Sequence, residues 1–406
     1  MNKIKLISMD IASSAYLMSY AASAVATPIC LLVLSRELNL NLTEGGSIEA
    51  TRAILLMIIL LFSGFAASRW GKTAVLHTGG VILTLGLLCY GLAPSYLFIL
   101  LAMVLVGLGG GLIEALVNPL IQDLHPRDSG RYLNVINAFF SVGVLTTVLF
   151  VGELLTWNVS WRNIFAGLAF FSLLVVLFFF LSSIKAHKDG RIPPEPEGNP
   201  LHHTREILRD RHFWIFGMAM VCGGGVESAY TFWSASYIQI YYHTAPRAGA
   251  IGTAIFACGM IIGRMAGGLV KQQWLHLQIL FSALAGLIIS FGFFWISSLS
   301  SLFVLLFFAG LACACYWPSI QSYAADRIRG ESTMLFILLS AMGIPGFALT
   351  SWIMGRMGDL YGLKTSFMLI PILFFMLILT MFTERHLGRD RTGPHRDEKI
   401  RVPDPL

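Results

Sequence analysis

The chain alternates long apolar runs with short polar punctuation. Crossing the hydrocarbon core of a bilayer takes about 20 apolar residues in a helix. Runs of that kind occur at 9–35, 47–68, 74–93, 96–122, 131–155, 161–184, 212–240, 247–270, 275–297, 301–324, 332–358 and 364–383. A backbone in lipid must satisfy its own hydrogen bonds, and a helix does so within one segment. The pattern therefore predicts an all-α membrane protein of twelve transmembrane helices, numbered here as spans 1–12. Those spans and their connections use nearly all of the 406 residues. No length remains for a soluble catalytic domain.

One polar connection is long. Residues 185–211 carry Pro193, Pro194, Pro196 and Pro200, with His202 and His203. They divide the chain into a first six-helix bundle, 1–184, a linker, 185–211, a second bundle, 212–384, and a charged tail, 385–406. A repeat supports this division. The stretch from Gly111 reads GLIEALVNPLIQ and the stretch from Gly310 reads GLACACYWPSIQ, 199 residues apart. The same offset places Gly64 on Gly263. Two six-span repeats of the same topology predict two pseudo-symmetric bundles about an axis along the membrane normal.

Composition agrees. The chain is 56% hydrophobic and 12% charged, about half the charged share of a soluble domain. The net charge of +6 is a topology signal. With both termini placed in the cytosol, 21 of the 28 Lys and Arg fall on that side and 5 on the other, leaving Arg52 and Arg264 inside spans 2 and 8. Basic residues concentrate on the cytosolic side of membrane proteins, so the expected location is an inner or plasma membrane, and no nucleic-acid partner is implied. The six cysteines lie in apolar spans and read as packing residues. The His202–His203 pair has no further ligands at metal spacing, so no metal or other cofactor is expected. No cleavage site follows the first span, which is expected to stay as an anchor. A phosphate-binding loop and a hydrolytic constellation are both absent, so ATP-driven transport is unsupported and no enzyme is expected.

Several stretches carry a family resemblance. GFAASRWGKT, Gly64 to Thr73, resembles the G-x-x-x-D-R-x-G-R-K signature of the major facilitator superfamily, with Ser68 in place of the Asp. Gly263-Arg264 and Gly267-Gly268 resemble a partial echo, and Trp161-Arg162 is similar to the family's start of span 6. Within the superfamily, three stretches resemble the fucose–proton symporter group of sugar permeases: Gly107 to Pro119, Arg131 to Gly143, and Cys222 to Tyr237. The resemblance implies the major facilitator fold, a central cavity lined by spans 1, 4, 7 and 10, and a monomer. The chain departs from that group in span 1. The group has an Asn/Asp-rich stretch there, including a carboxylate that helps coupling, whereas Ser23 to Cys30 reads SAVATPIC. Coupling must fall to other groups, or the substrate differs.

Ionisable residues at membrane depth are expensive and usually face a cavity or a partner. Glu114 in span 4 and Glu227 in span 7 fit that description and are the candidate proton-coupling pair. A carboxylate in a low-dielectric site takes up a proton more readily than one in water. Asn118 lies one turn from Glu114 on the same face. In the repeat, Cys313 and Trp317 stand where Glu114 and Asn118 stand. A cavity with one polar and one aromatic wall suits a sugar, whose hydroxyls both donate and accept hydrogen bonds. Candidate substrate-binding residues are Asn118, Asn137, Tyr230, Trp233, Tyr316, Trp317 and Gln321. Asn134 lies a turn from Asn137, at a shallower depth. By analogy, Arg69, Lys72 and Arg264 would hold the inward gate. Glu49 and Arg52, three residues apart, read as a local ion pair. Pro28, Pro119, Pro318 and Pro345 are expected to kink spans 1, 4, 10 and 11.

These readings combine into a secondary transporter that takes up a sugar or similar small polar solute with protons (or sodium) by alternating access. The alternative is an exporter of a hydrophobic compound by proton antiport, favoured by the apolar span 1 and the many Phe and Met residues.

Overall fold

The computed structural model describes residues 6–125, 129–190, 204–267, 269–328 and 332–389. The first half contains span 1 (Ser8–Leu38), span 2 (Leu42–Trp70), span 3 (Lys72–Gly91), span 4 (Tyr96–Leu124), span 5 (Ser129–Thr156) and span 6 (Trp161–Lys188). A short helix, Thr204–Arg209, leads into the second half. There lie span 7 (Arg211–Tyr241), span 8 (Pro246–Gly267), span 9 (Leu275–Trp295), a broken span 10 (Leu299–Cys313 and Tyr316–Arg327), span 11 (Ser332–Tyr361) and span 12 (Leu369–Arg389). Span 6 and span 12 run past their expected ends into the stretches read as linker and tail. His202 and His203 lie outside the described residues.

Among the described residues, eleven helices are long and apolar enough to cross a membrane. The remaining one, span 7, has 31 residues but is more polar, with Glu227, Ser228, Ser234, Ser236 and Gln239 along it. Its surroundings account for this: most of its residues are buried against spans 8, 10, 11 and 12 and span 1. A helix enclosed by other helices does not need the lipid-facing apolar surface that the others carry.

Proline has unequal effects. Pro28, Pro119 and Pro345 sit inside continuous helices. Pro318 coincides with a true break, because span 10 stops at Cys313 and resumes at Tyr316. A proline ring clashes with the carbonyl four residues before it and supplies no N–H to the ladder. That carbonyl belongs to Ala314, which lies in the gap.

Each half has its own core. The first is built around Tyr16, Tyr90, Trp161, Phe165 and Phe179. The second surrounds Phe213, Phe216, Tyr230, Trp233 and Phe293. The halves meet closely on the face opposite the chain termini, here the far face. There the Asp359 carboxylate, at the end of span 11, accepts hydrogen bonds from the Leu42 and Thr43 backbone N–H groups, each at 2.8 Å. It thus caps the N-terminus of span 2, where unpaired N–H groups and the helix dipole favour an anion. Glycine permits the contact: a Cβ on Gly46 would come 2.2 Å from the Ser351 carbonyl oxygen, and one on Gly355 would come 2.3 Å from that of Leu42. Spans 5 and 8 form the second seam. Arg247 makes a two-pronged pair with Glu153, Nε lying 2.6 Å from Oε2, and its backbone N–H donates to Thr156 Oγ1 at 3.1 Å.

Candidate functional site

With the far face sealed, the polar groups that stay accessible between the halves would line a cavity opening toward the termini side, with two walls of different chemistry.

The second-half wall is organised by Glu227. The Trp317 indole N–H donates to Glu227 Oε2 at 2.7 Å. The Arg264 guanidinium from span 8 approaches Oε1 at 3.7 Å. Trp317 sits just past the break in span 10, and its ring lies against Gly343 of span 11, where a Cβ would come within 2.5 Å of it. Gln321, one turn further, donates to Ser340 Oγ at 2.8 Å. The Arg264 side chain is 41% exposed and that of Glu227 only 14%, so the cation faces the opening and the carboxylate sits behind it.

The first-half wall carries Glu114, Asn118 and Asn137. Glu114 is accessible, and the positive charges of Arg52 and Arg264 both act on it. Arg264 therefore stands within electrostatic reach of a carboxylate from each half. Asn137 donates from Nδ2 to Asn118 Oδ1 at 2.8 Å and to the Leu133 carbonyl. Asn118 is thereby oriented, and Asn137 remains accessible to a ligand. The side chain of Asn134 lies outside the described residues. Behind Glu114, Glu49 and Arg52 form the local pair expected from their spacing, Nε to Oε2 at 3.0 Å. Arg52 is thus already neutralised within its own half.

Three residues expected at the substrate are placed elsewhere. Tyr230 is fully buried between the Phe256 and Phe293 rings, at centroid distances of 5.3 and 5.4 Å. Trp233 is fully buried, and its N–H donates to the Ser351 carbonyl at 3.2 Å. Tyr316 is 1% exposed, beneath Gly223 and beside Phe374. The helical period is the reason. Positions three and six residues after Glu227 lie some 60° and 120° away around a helix of 3.6 residues per turn, and Tyr316 lies about 100° from Trp317. These rings turn into the bundle core.

The candidate gating residues also separate. Lys72 Nζ pairs with Asp123 Oδ2 at 2.5 Å within the first half. Arg69 is exposed, its guanidinium 5.9 Å from the Trp70 ring. Arg264 belongs to the cavity wall.

Two features were missed in the sequence. Asp359 falls at the end of an apolar run and reads as a loop acid. Its signal is an echo of the loop after span 2: Gly64-x-x-x-Ser68-x-x-Gly71 and Gly355-x-x-x-Asp359-x-x-Gly362 share spacing. The two terminal glycines share a backbone conformation, φ/ψ 82/145 and 83/147. Asp10, fully buried at the start of span 1, pairs with His125 Nε2 at 2.9 Å. The His125 ring in turn stacks on Tyr132 at 3.6 Å.

Comparison with known proteins places this arrangement. The Major Facilitator Superfamily model matches residues 12–344. Among curated proteins, the membrane protein MosC of Rhizobium meliloti is 22% identical over 353 residues, 83% of each chain. The hexuronate transporter of Bacillus subtilis is 22% identical over 369 residues, covering 84% of this chain and 85% of that one. Among solved structures, a bacterial homolog of the human lysosomal transporter Spinster, in an inward-facing and unoccupied conformation, aligns with a TM-score of 0.78 at 17% identity over 95% of this chain and 98% of that one. A D-xylose–proton symporter aligns with a TM-score of 0.72 at 14% identity, over 93% and 96%. At these identities the likeness carries the fold.

Proposed function

The chain belongs to the Major Facilitator Superfamily, and from that premise we propose that this secondary transporter takes up a sugar or sugar-like polar solute together with a proton, with Glu114 as the proton carrier. Members of this superfamily are multi-pass membrane transporters of small molecules, not enzymes. The substrate class and the coupling ion are our reading of the cavity.

The observation that carries the reading is that Arg264 pairs with Glu227 at 3.7 Å while Glu114, accessible on the opposite wall, has no ion pair among the described residues. Glu49 and Arg52 cancel one another. Among the described residues, the cavity then holds two carboxylates and one cation, an excess of one negative charge. Sealing an uncompensated charge away from water is costly, and one proton removes it. Glu227 already has a cation and an indole N–H, so it is the fixed charge. Glu114, accessible and without a hydrogen bond among the described residues, is the group left to take the proton.

Substrate hydroxyls would meet Asn118 and Asn137 on one wall and the Trp317 ring on the other. A sugar acid would add a carboxylate for Arg264, in keeping with the hexuronate transporter among the relatives. The basic side of the molecule faces the cytosol, so the sealed far face is outside and the cavity is open inward. Uptake then requires the two far-face seams to part. Thermal stabilisation of the purified protein by sugars, sugar acids and lipophilic cations, at two pH values, tests this. Stabilisation by sugars or sugar acids, stronger at the lower pH, is expected. Stabilisation by lipophilic cations alone would overturn the substrate class and favour the exporter.

A further inference from the structure

The termini-side rim of the second half carries a pocket of about 430 Å³ that the transport cycle does not use. It lies where the short helix Gln272–Trp274 enters span 9, beside the ends of spans 10 and 12. Its floor is a preset polar chain. The buried Glu384 accepts from the Tyr323 hydroxyl at 2.7 Å, that hydroxyl accepts from Arg327 Nη2 at 2.8 Å, and Arg327 Nε lies 3.5 Å from Glu384 Oε1. Arg327 is thereby fixed in place while remaining 36% exposed. Arg385 lines the same pocket and has no ion pair or hydrogen bond among the described residues. Among the described residues it is a cation without an anion. Gln273 and His276 complete the polar lining. Asp326, on the neighbouring stretch of chain, is engaged by Gln272 Nε2 at 2.8 Å.

The surroundings are amphipathic in one direction. Trp274 stands at the rim, 51% exposed, and Leu277, Phe281, Leu284 and Ile288 continue from it as an exposed stripe along span 9. Their spacing of four, three and four residues keeps them on one helix face. An exposed Trp at the end of an apolar stripe marks the headgroup level of a bilayer. Two fixed or free guanidiniums at that level recognise phosphate geometry, and basic pockets between helices on this side suit anionic headgroups.

We propose that this pocket binds the phosphate headgroup of an anionic phospholipid, whose acyl chains follow the span 9 stripe. Arg385 supplies the uncompensated charge and Arg327 the fixed hydrogen-bond donors. A free inorganic phosphate shares the headgroup chemistry but makes no use of the stripe. The inference is independent of the substrate assigned to the central cavity.

Native mass spectrometry of the full chain, released from mixed micelles of phosphatidylglycerol and phosphatidylcholine, tests it. One phosphatidylglycerol should be retained in preference to phosphatidylcholine, and excess inorganic phosphate should not displace it. Arg385→Gln should weaken that retention about fivefold, the scale of one basic side chain near an anionic headgroup. Arg356→Gln, which removes an exposed cation from the far face, should leave it unchanged. Equal retention of the two lipids, no effect of Arg385→Gln, or complete displacement by phosphate would each overturn the proposal.

Discussion

At the scale of single residues, function rests on which side chains reach the cavity. Trp317 and Tyr230 are opposite cases. Trp317→Phe keeps the ring but removes the donor to Glu227 Oε2. A hydrogen bond to a charged group is worth about 1.5–3 kcal/mol, so the apparent affinity for substrate should fall roughly tenfold or more, read as KM in uptake assays. Tyr230→Phe should change transport little, since the Tyr230 hydroxyl is buried without a partner and removing an unsatisfied group costs nothing. A large loss of uptake in Tyr230→Phe would mean that the ring reaches the cavity after all. The depth of Glu114 and Glu227 was legible in the sequence, because an acid amid apolar residues has few explanations. The facing of their aromatic neighbours was not. A transmembrane helix is apolar on its lipid side and its core side alike, so hydrophobic pattern does not tell the two apart. Trp317 was identified through the repeat, which supplies a position rather than a face.

At the scale of elements, the seams between spans 2 and 11 and between spans 5 and 8 decide which face is closed. Asp359→Asn removes the charge that caps span 2. Charge at a helix N-terminus is worth up to about 1 kcal/mol, so the far face should open about fivefold more often. The labelling rate of Ala348→Cys by an impermeant thiol reagent reports this, because Ala348 of span 11 is buried against the core of the first half. Gly46→Leu should act more severely, since its first side-chain atom already overlaps the Ser351 carbonyl. Labelling should then be maximal and uptake lost. Unchanged labelling in both variants would remove the seam from the account. The sequence showed the elements well: each of the twelve apolar runs is helical, span 10 as two helices. It left the seams hidden, because their glycines and Asp359 pair residues some 300 positions apart and leave no local pattern. The break in span 10 was visible as Pro318, but so were three prolines that leave their helices continuous. Local propensity does not separate these cases.

At the scale of the molecule, the linker and the 199-residue repeat led to an expected division into two six-span halves, and the structure carries two apolar core clusters, one largely from each half. The charge asymmetry predicts both termini in the cytosol, so the C-terminal tail should be digested by protease in inside-out vesicles and protected in intact cells. The opposite result would reverse the direction of transport as well as the topology. Which face is closed could not be read from the chain, because the contacts that close it pair residues far apart in sequence. The central claim is that Glu114 carries the proton across while Glu227, held by Arg264 and Trp317, stays charged. Proteoliposomes loaded with protein and driven by an inward pH gradient test this most directly, once a transported sugar or sugar acid is in hand. The account predicts gradient-driven accumulation by the unaltered protein and its loss in Glu114→Gln, with substrate exchange across the membrane retained in that variant. Accumulation by Glu114→Gln that still collapses with the pH gradient would contradict it.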